Sequence, residues 1–160
     1  MRDRVLIDTS VWIAYFQANP PAGIADQVDE ILNKSDVCVP KIVIAELIQG
    51  AHSEKDLKTI REFLDAFTII AEGDGAWVEA GKLSYALKKK GKTVNLADCY
   101  VAVLAKENHC SILTLDKHFK DIKGVTDIKL VAVKQTRDHV LGPVAKAVKG
   151  RLVTADLREH

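Results

Sequence analysis

Arg4-Val5-Leu6-Ile7-Asp8-Thr9-Ser10 is the stretch whose reading decides the fold. A short apolar run begins almost at once and reads as a strand, and Asp8 stands at its carboxyl end. The same sentence is written again later in the chain, where Ile112-Leu113-Thr114-Leu115 runs into Asp116. Two short strands that each end in an acid set the frame for everything between them. In an open parallel sheet, ligands bind outside the carboxyl ends of the strands, near the point where strand order reverses.

Working outward, short apolar runs bounded by polar or turn residues alternate with longer helical patterns, the signature of βαβ units. Strands are expected over Arg4 to Ile7, Val37 to Val39, Phe67 to Ala71, Ser111 to Leu115 and Lys129 to Val133. Helices are expected over Ser10 to Phe16, Gly23 to Lys34, Ile42 to His52, Glu54 to Ala66, Ala76 to Lys90 and Leu96 to Asn108. In the fifth helix Trp77, Ala80, Leu83, Ser84 and Leu87 recur at helical spacing, and that face is expected to pack on the sheet. The fold class is therefore α/β with a central parallel sheet of four to five short strands. With 160 residues, about half of them hydrophobic, the chain can bury one good core. One domain is expected over residues 1–133. Residues 134–160 form a basic extension, either a helix over Val144 to Lys149 or a loose arm, with Gly142, Pro143 and Gly150 as breakers.

The formal charge of +1 conceals an asymmetry: residues 1–133 carry 17 Lys and Arg against 19 Asp and Glu, and residues 134–160 carry 6 against 3. Strong non-specific attraction to polyanions through net charge is thereby excluded, so any nucleic-acid binding must be local. Cys38, Cys99 and Cys110 are odd in number, lack close metal-binding spacing and sit in apolar segments, as reduced buried thiols do, which favours the cytoplasm. The first residues leave no room for a secretory leader, and nowhere do about 18 apolar residues run together, so no membrane span is expected.

Two further acids join Asp8 and Asp116. Glu46 lies inside Ile42-Val43-Ile44-Ala45-Glu46-Leu47-Ile48, where helical geometry sets it on the side of Ile42, Val43, Gln49 and Gly50. Asp98 opens the helix that leads into the fourth strand. Each has a plainer reading: Asp8 and Asp116 can cap the helices after them, Asp98 can pair with an Asn95 N-cap, and Glu46 can point to solvent. Taken together they differ, because four acids on one edge repel one another unless a cation sits among them. Oxygen ligands with no Cys/His cluster select Mg²⁺ or Mn²⁺. Such a site activates water and polarises a phosphoryl oxygen, which is phosphodiester chemistry. Ser10 and Thr114, each two residues from an acid, have hydroxyls that can orient acid oxygens or water; an ordinary strand threonine is the plainer account of Thr114.

Asp8-Thr9-Ser10, Ala45-Glu46-Leu47, Ala97-Asp98-Cys99-Tyr100-Val101-Ala102 and Leu113-Thr114-Leu115-Asp116-Lys117-His118-Phe119 resemble, in order and spacing, the four acidic motifs of PIN-domain ribonucleases. In size the chain is most similar to the VapC-type toxin of VapBC toxin-antitoxin pairs. The resemblance covers about residues 4–133. It implies a three-layer α/β/α fold, divalent-metal endoribonuclease activity on an RNA substrate, homodimerisation, inhibition by a small antitoxin protein, and Asp8, Glu46, Asp98 and Asp116 as both the catalytic and the metal-coordinating set. Some members carry a further acid two residues past the last motif Asp, and here that position is His118. A stand-alone RNA-processing nuclease, or a catalytically silent RNA- or protein-binding module, would share the same outline.

For the substrate backbone the chain offers Lys88, Lys89, Lys90 and Lys92 ahead of Asp98, and Lys117 and Lys120 after Asp116. Basic residues flanking a metal site can hold phosphates without reading sequence; lysines ending a helix whose dipole favours cations are the plainer account of the first group. An aspartyl-nucleophile phosphatase needs a second Asp two positions after the first, where this chain has Ser10. A receiver domain pairs its acids near the first strand and has no use for Glu46.

Overall fold

A computed structural model describes residues 2–17 and 19–134; the expected extension, apart from Lys134, lies outside the described residues. The four strands β1 (Arg4–Ile7), β2 (Asp36–Val39), β3 (Thr68–Ile69) and β4 (Ser111–Leu113) form one parallel sheet in the order β3-β2-β1-β4. The chain moves outward from β1 to β2 to β3, then returns past β1 to β4. Strand order thus reverses at β1, and the switch point is the gap between the carboxyl ends of β1 and β4.

Right-handed crossovers place helices made on the outward run and on the return on opposite faces. On one side lie α1 (Thr9–Phe16), α2 (Ala22–Lys34), α3 (Lys41–Gln49) and α4 (Glu54–Leu64); on the other lie α5 (Ala76–Lys89), α6 (Leu96–Glu107) and α7 (His118–Lys123). The expected three layers are therefore present. The first face is glued by aromatics: Trp12 lies stacked on Phe16 and edge-on to Phe63, and Phe63 meets Phe67 edge-on. Nearby, the Tyr15 hydroxyl donates to Asp29 Oδ1 at 2.7 Å, a buried tie between α1 and α2.

Several expectations need correction, among them the fourth strand, which ends at Leu113 and not at Leu115. Lys129 to Val133 is not a fifth strand; it contributes one bridge, Ile112 to Leu130, at the outer edge of β4. Buried Gln27 explains why pairing stops there. Its side chain donates to the Ala132 carbonyl at 2.8 Å and accepts from the Lys134 amide at 3.0 Å, so an α2 side chain takes the bonds a ladder would have used. The third strand is shorter than Phe67 to Ala71, because only Thr68 and Ile69 are in register with β2. Finally, the α5 face packs chiefly on α6, since α6 already covers β4. Ala80, Leu83 and Leu87 are buried as expected, but Trp77 is 53% exposed, its ring flat on Tyr100 at 3.7 Å. The short α7 appears where no helix was expected.

Candidate active site

Backbone pairing at the switch point brings the two strand ends together: the Asp8 amide donates to the Leu113 carbonyl at 2.9 Å. Asp8 occupies the N-cap position of α1, yet its side chain makes no cap hydrogen bond. Oδ2 instead accepts from the Ser10 hydroxyl at 2.7 Å and from the Thr114 hydroxyl at 2.9 Å. Each hydroxyl also accepts a backbone amide of the loop after β4, Leu115 to Ser10 at 3.1 Å and Asp116 to Thr114 at 3.0 Å. One carboxylate oxygen is thus the node of a network that sets where the Asp116 loop begins. The carboxylate is 5% exposed, and a buried anion held by two donors on one oxygen keeps its other oxygen for something else.

Asp116 partly follows the plainer reading. Its Oδ1 accepts the His118 amide at 2.9 Å and so forms the turn that starts α7. His118 Nδ1 stands 2.9 Å from the same oxygen. Asn95 is the N-cap of α6 as the plainer reading had it, its side chain accepting the Ala97 amide at 2.8 Å, but the Asp98 side chain is turned to Asp116, and Asp98, Asp116 and His118 each present a ligand atom within 4.8 Å of the other two. Burial first, and then Asp116, Asp8 and Glu46 in turn, push the Asp98 carboxyl up to about 7. One acid therefore feels the other three.

Glu46 is more exposed than its apolar neighbours suggested, because Val43 and Leu47 turn inward and Glu46 sits on the shoulder of α3. Its carboxyl is nonetheless held above the usual carboxylate range by partial burial and then by Asp8, with the Thr9 hydroxyl working the other way. Thr9 Oγ1 is buried beside this carboxyl.

The lysines come to two places. Lys88 and Lys89 end α5, Lys90 and Lys92 follow in the turn, Lys117 is the N-cap of α7 and Lys120 lies within it; all six are exposed. Lys92 lies 3.7 Å from Asp121 on α7, so the two basic groups adjoin. None of them neutralises the acids: among the described residues no lysine or arginine forms an ion pair with Asp8, Glu46, Asp98 or Asp116. Four carboxylates without a lysine or arginine partner, one of them raised towards neutrality by the other three, are a donor set suited to a hard divalent ion. The residues present fit such an ion.

Thr9 and His118 are the two members of this constellation to which sequence reading gave no part. Thr9 carried no signal beyond its place between Asp8 and Ser10, whereas His118 was marked by standing where an acid is found in similar chains.

The chain matches the family model of the PIN domain over residues 5–125. It belongs to the PIN-domain family. Within reach of this PIN domain, Ribonuclease VapC1 of Haemophilus influenzae strain R2866 is 25% identical over 128 residues, covering 78% of this chain and 93% of the relative. VapC ribonuclease Mb1587 of Mycobacterium bovis is 26% identical over 136 residues, covering 81% and 99%. Among solved structures, VapBC-1 from nontypeable Haemophilus influenzae superposes with a TM-score of 0.66 at 22% identity, over 80% of this chain and 96% of that one. At that identity the likeness speaks for the fold. No helix among the described residues of this PIN domain is long and apolar enough to cross a membrane.

Proposed function

We propose that this PIN domain is a divalent-metal-dependent endoribonuclease that hydrolyses RNA phosphodiester bonds, and that it is the toxin of a VapBC-type pair. The observation that carries the reading is the electrostatic one: the Asp98 carboxyl is raised to about 7 by burial and by all three of Asp116, Asp8 and Glu46, and among the described residues no lysine or arginine pairs with any of the four. The four acids hold the metal, Mg²⁺ or Mn²⁺, and Ser10 and Thr114 hold Asp8 in the orientation that presents its remaining oxygen. When bound, the ion polarises the scissile phosphate and supports an attacking water at neutral pH. The lysines of the α5 turn and α7 fix the RNA backbone. Relatives named VapC ribonucleases and a solved structure titled VapBC-1 support the toxin assignment and an antitoxin as partner; assembly as a homodimer belongs to the same reading. Three buried free cysteines suit a reducing cytoplasm.

Asp8→Asn and Asp98→Asn test the site directly. Each is expected to lower RNA cleavage in Mg²⁺ or Mn²⁺ by more than about 100-fold, with the circular dichroism of the wild type. Wild-type rates in both variants would remove the assignment. For the toxin role, the expected outcome is a short reading frame for a DNA-binding antitoxin immediately upstream, whose product co-purifies with this chain. Absence of both would leave a stand-alone RNA-processing nuclease.

A further inference from the structure

We infer that His118 is a direct nitrogen ligand of the metal, so that this site has a mixed oxygen and imidazole donor set which favours Mn²⁺ over Mg²⁺. The inference rests on the metal-site reading above and goes beyond it in naming a fifth donor and the ion it selects. Three observations carry it. His118 Nδ1 and Asp116 Oδ1 stand 2.9 Å apart, and two donors on neighbouring corners of an octahedron around Mg²⁺ or Mn²⁺ are separated by about 3 Å. Asp98 completes a set of three side chains that all offer a ligand atom within 4.8 Å of one another, and this set includes the imidazole rather than Asp8 or Glu46. The ring is placed by its own backbone: the His118 amide is bonded to Asp116 Oδ1 at 2.9 Å, so the turn that positions the carboxylate positions the imidazole with it.

The chemistry follows from the donor types. Carboxylate and water suit Mg²⁺ and Mn²⁺ alike, whereas neutral imidazole is a ligand for the first-row transition ions, a series in which Mn²⁺ is the weakest member and to which Mg²⁺ does not belong. With His118 in the set, the site binds Mn²⁺ more tightly than an all-oxygen site would, and its preference for Mn²⁺ over Mg²⁺ widens. Asp121, three residues further, does not join the donors, being turned to Lys92 at 3.7 Å.

Pulsed electron spin resonance of the full chain loaded with Mn²⁺ alone reads the contact itself, through the ¹⁴N modulation of a directly bound imidazole. The wild type is expected to show that modulation, and His118→Asp to lose it while still holding Mn²⁺. By calorimetry, the ratio of Mn²⁺ to Mg²⁺ affinity falls about tenfold in His118→Asp and likewise in His118→Gln. Mn²⁺ bound to the wild type without ¹⁴N modulation, or with modulation that survives His118→Asp, overturns the inference and leaves the four-acid site standing. Mn²⁺ that fails to bind the wild type, or binds Asp98→Asn equally well, overturns the metal-site reading on which it rests.

Discussion

At the scale of single residues, the deciding contacts are those of two hydroxyls. Ser10 and Thr114 each donate to Asp8 Oδ2 and each accept an amide from the loop after β4. Replacing Thr114 with Val removes a donor from a buried carboxylate and an acceptor from the Asp116 amide. Thr114→Val is expected to lose about 1–2 kcal/mol in urea unfolding and about 10- to 100-fold in single-turnover cleavage, with Thr114→Ser recovering most of both. A Val variant that cleaves at the wild-type rate would show that the network only ties strands together. The plainer account of Thr114, an ordinary strand threonine, misses this, because the position of its hydroxyl depends on Asp8, more than a hundred residues away. The carboxylates themselves were legible in the sequence, since acids standing where apolar runs end are conspicuous. Which of them acts as a cap was not. Asp8 occupies a cap position without capping, and Asp116 forms the turn while remaining in the cluster.

At the scale of elements, helix type and order follow closely from periodicity and caps. α4 starts where the Ser53 hydroxyl accepts the Asp56 amide, while the Asp56 carboxylate reaches back to the His52 amide, one residue before the cap. Packing partners were less legible. α5 turns its apolar side to α6 instead of the sheet, because periodicity reports that a face is buried without reporting against what. The α1–α2 junction depends on the buried bond from Tyr15 to Asp29, and burial together with Asp29 raises the Tyr15 phenol far above its ordinary value. Tyr15→Phe is therefore expected to destabilise the fold by about 1–3 kcal/mol, since it takes a hydrogen bond from a buried carboxylate. A thermal melt superimposable on the wild type would contradict this. Gln27→Ala releases the two bonds that hold residues 132 and 134 against α2. Hydrogen exchange at the Lys134 amide is expected to rise at least about tenfold, with β1 protection unchanged.

At the scale of the molecule, the cluster of acids makes stability depend on pH and on metal together. In metal-free protein the Asp98 carboxyl sits at about 7, against about 3.9 in an unfolded chain. Between those values the native state keeps a proton that the unfolded state has given up. Stability from this group is therefore greatest below about pH 4 and declines as pH rises to about 7, the opposite of a salt-bridged carboxylate. In chelator the melting temperature is expected to fall from pH 5 to pH 8, by on the order of 1 kcal/mol of stability from this group once solvent screening is allowed for. Saturating Mg²⁺ or Mn²⁺ binds the ionised native site and raises the melting temperature most at pH 8. Asp98→Asn flattens the metal-free profile and shrinks the metal-induced rise. A profile for the variant parallel to the wild type, with and without metal, would mean that the acids are not coupled through Asp98.

What the sequence by itself determined is the set of parts: short strands alternating with helices, acids at strand ends, and four motifs in the order found in PIN domains. These are local facts, since propensity, periodicity and spacing along the chain all act over a few residues. Only the tertiary structure decided that β4 returns beside β1, that Ser10 and Thr114 meet on one oxygen of Asp8, that Asp98 feels three other carboxylates, and that His118 stands 2.9 Å from Asp116 Oδ1. The physical reason is range. Coulomb repulsion and hydrogen bonding act through space and not along the chain, and residues 8, 46, 98 and 116 come close enough to feel one another only when the parallel crossovers close the sheet.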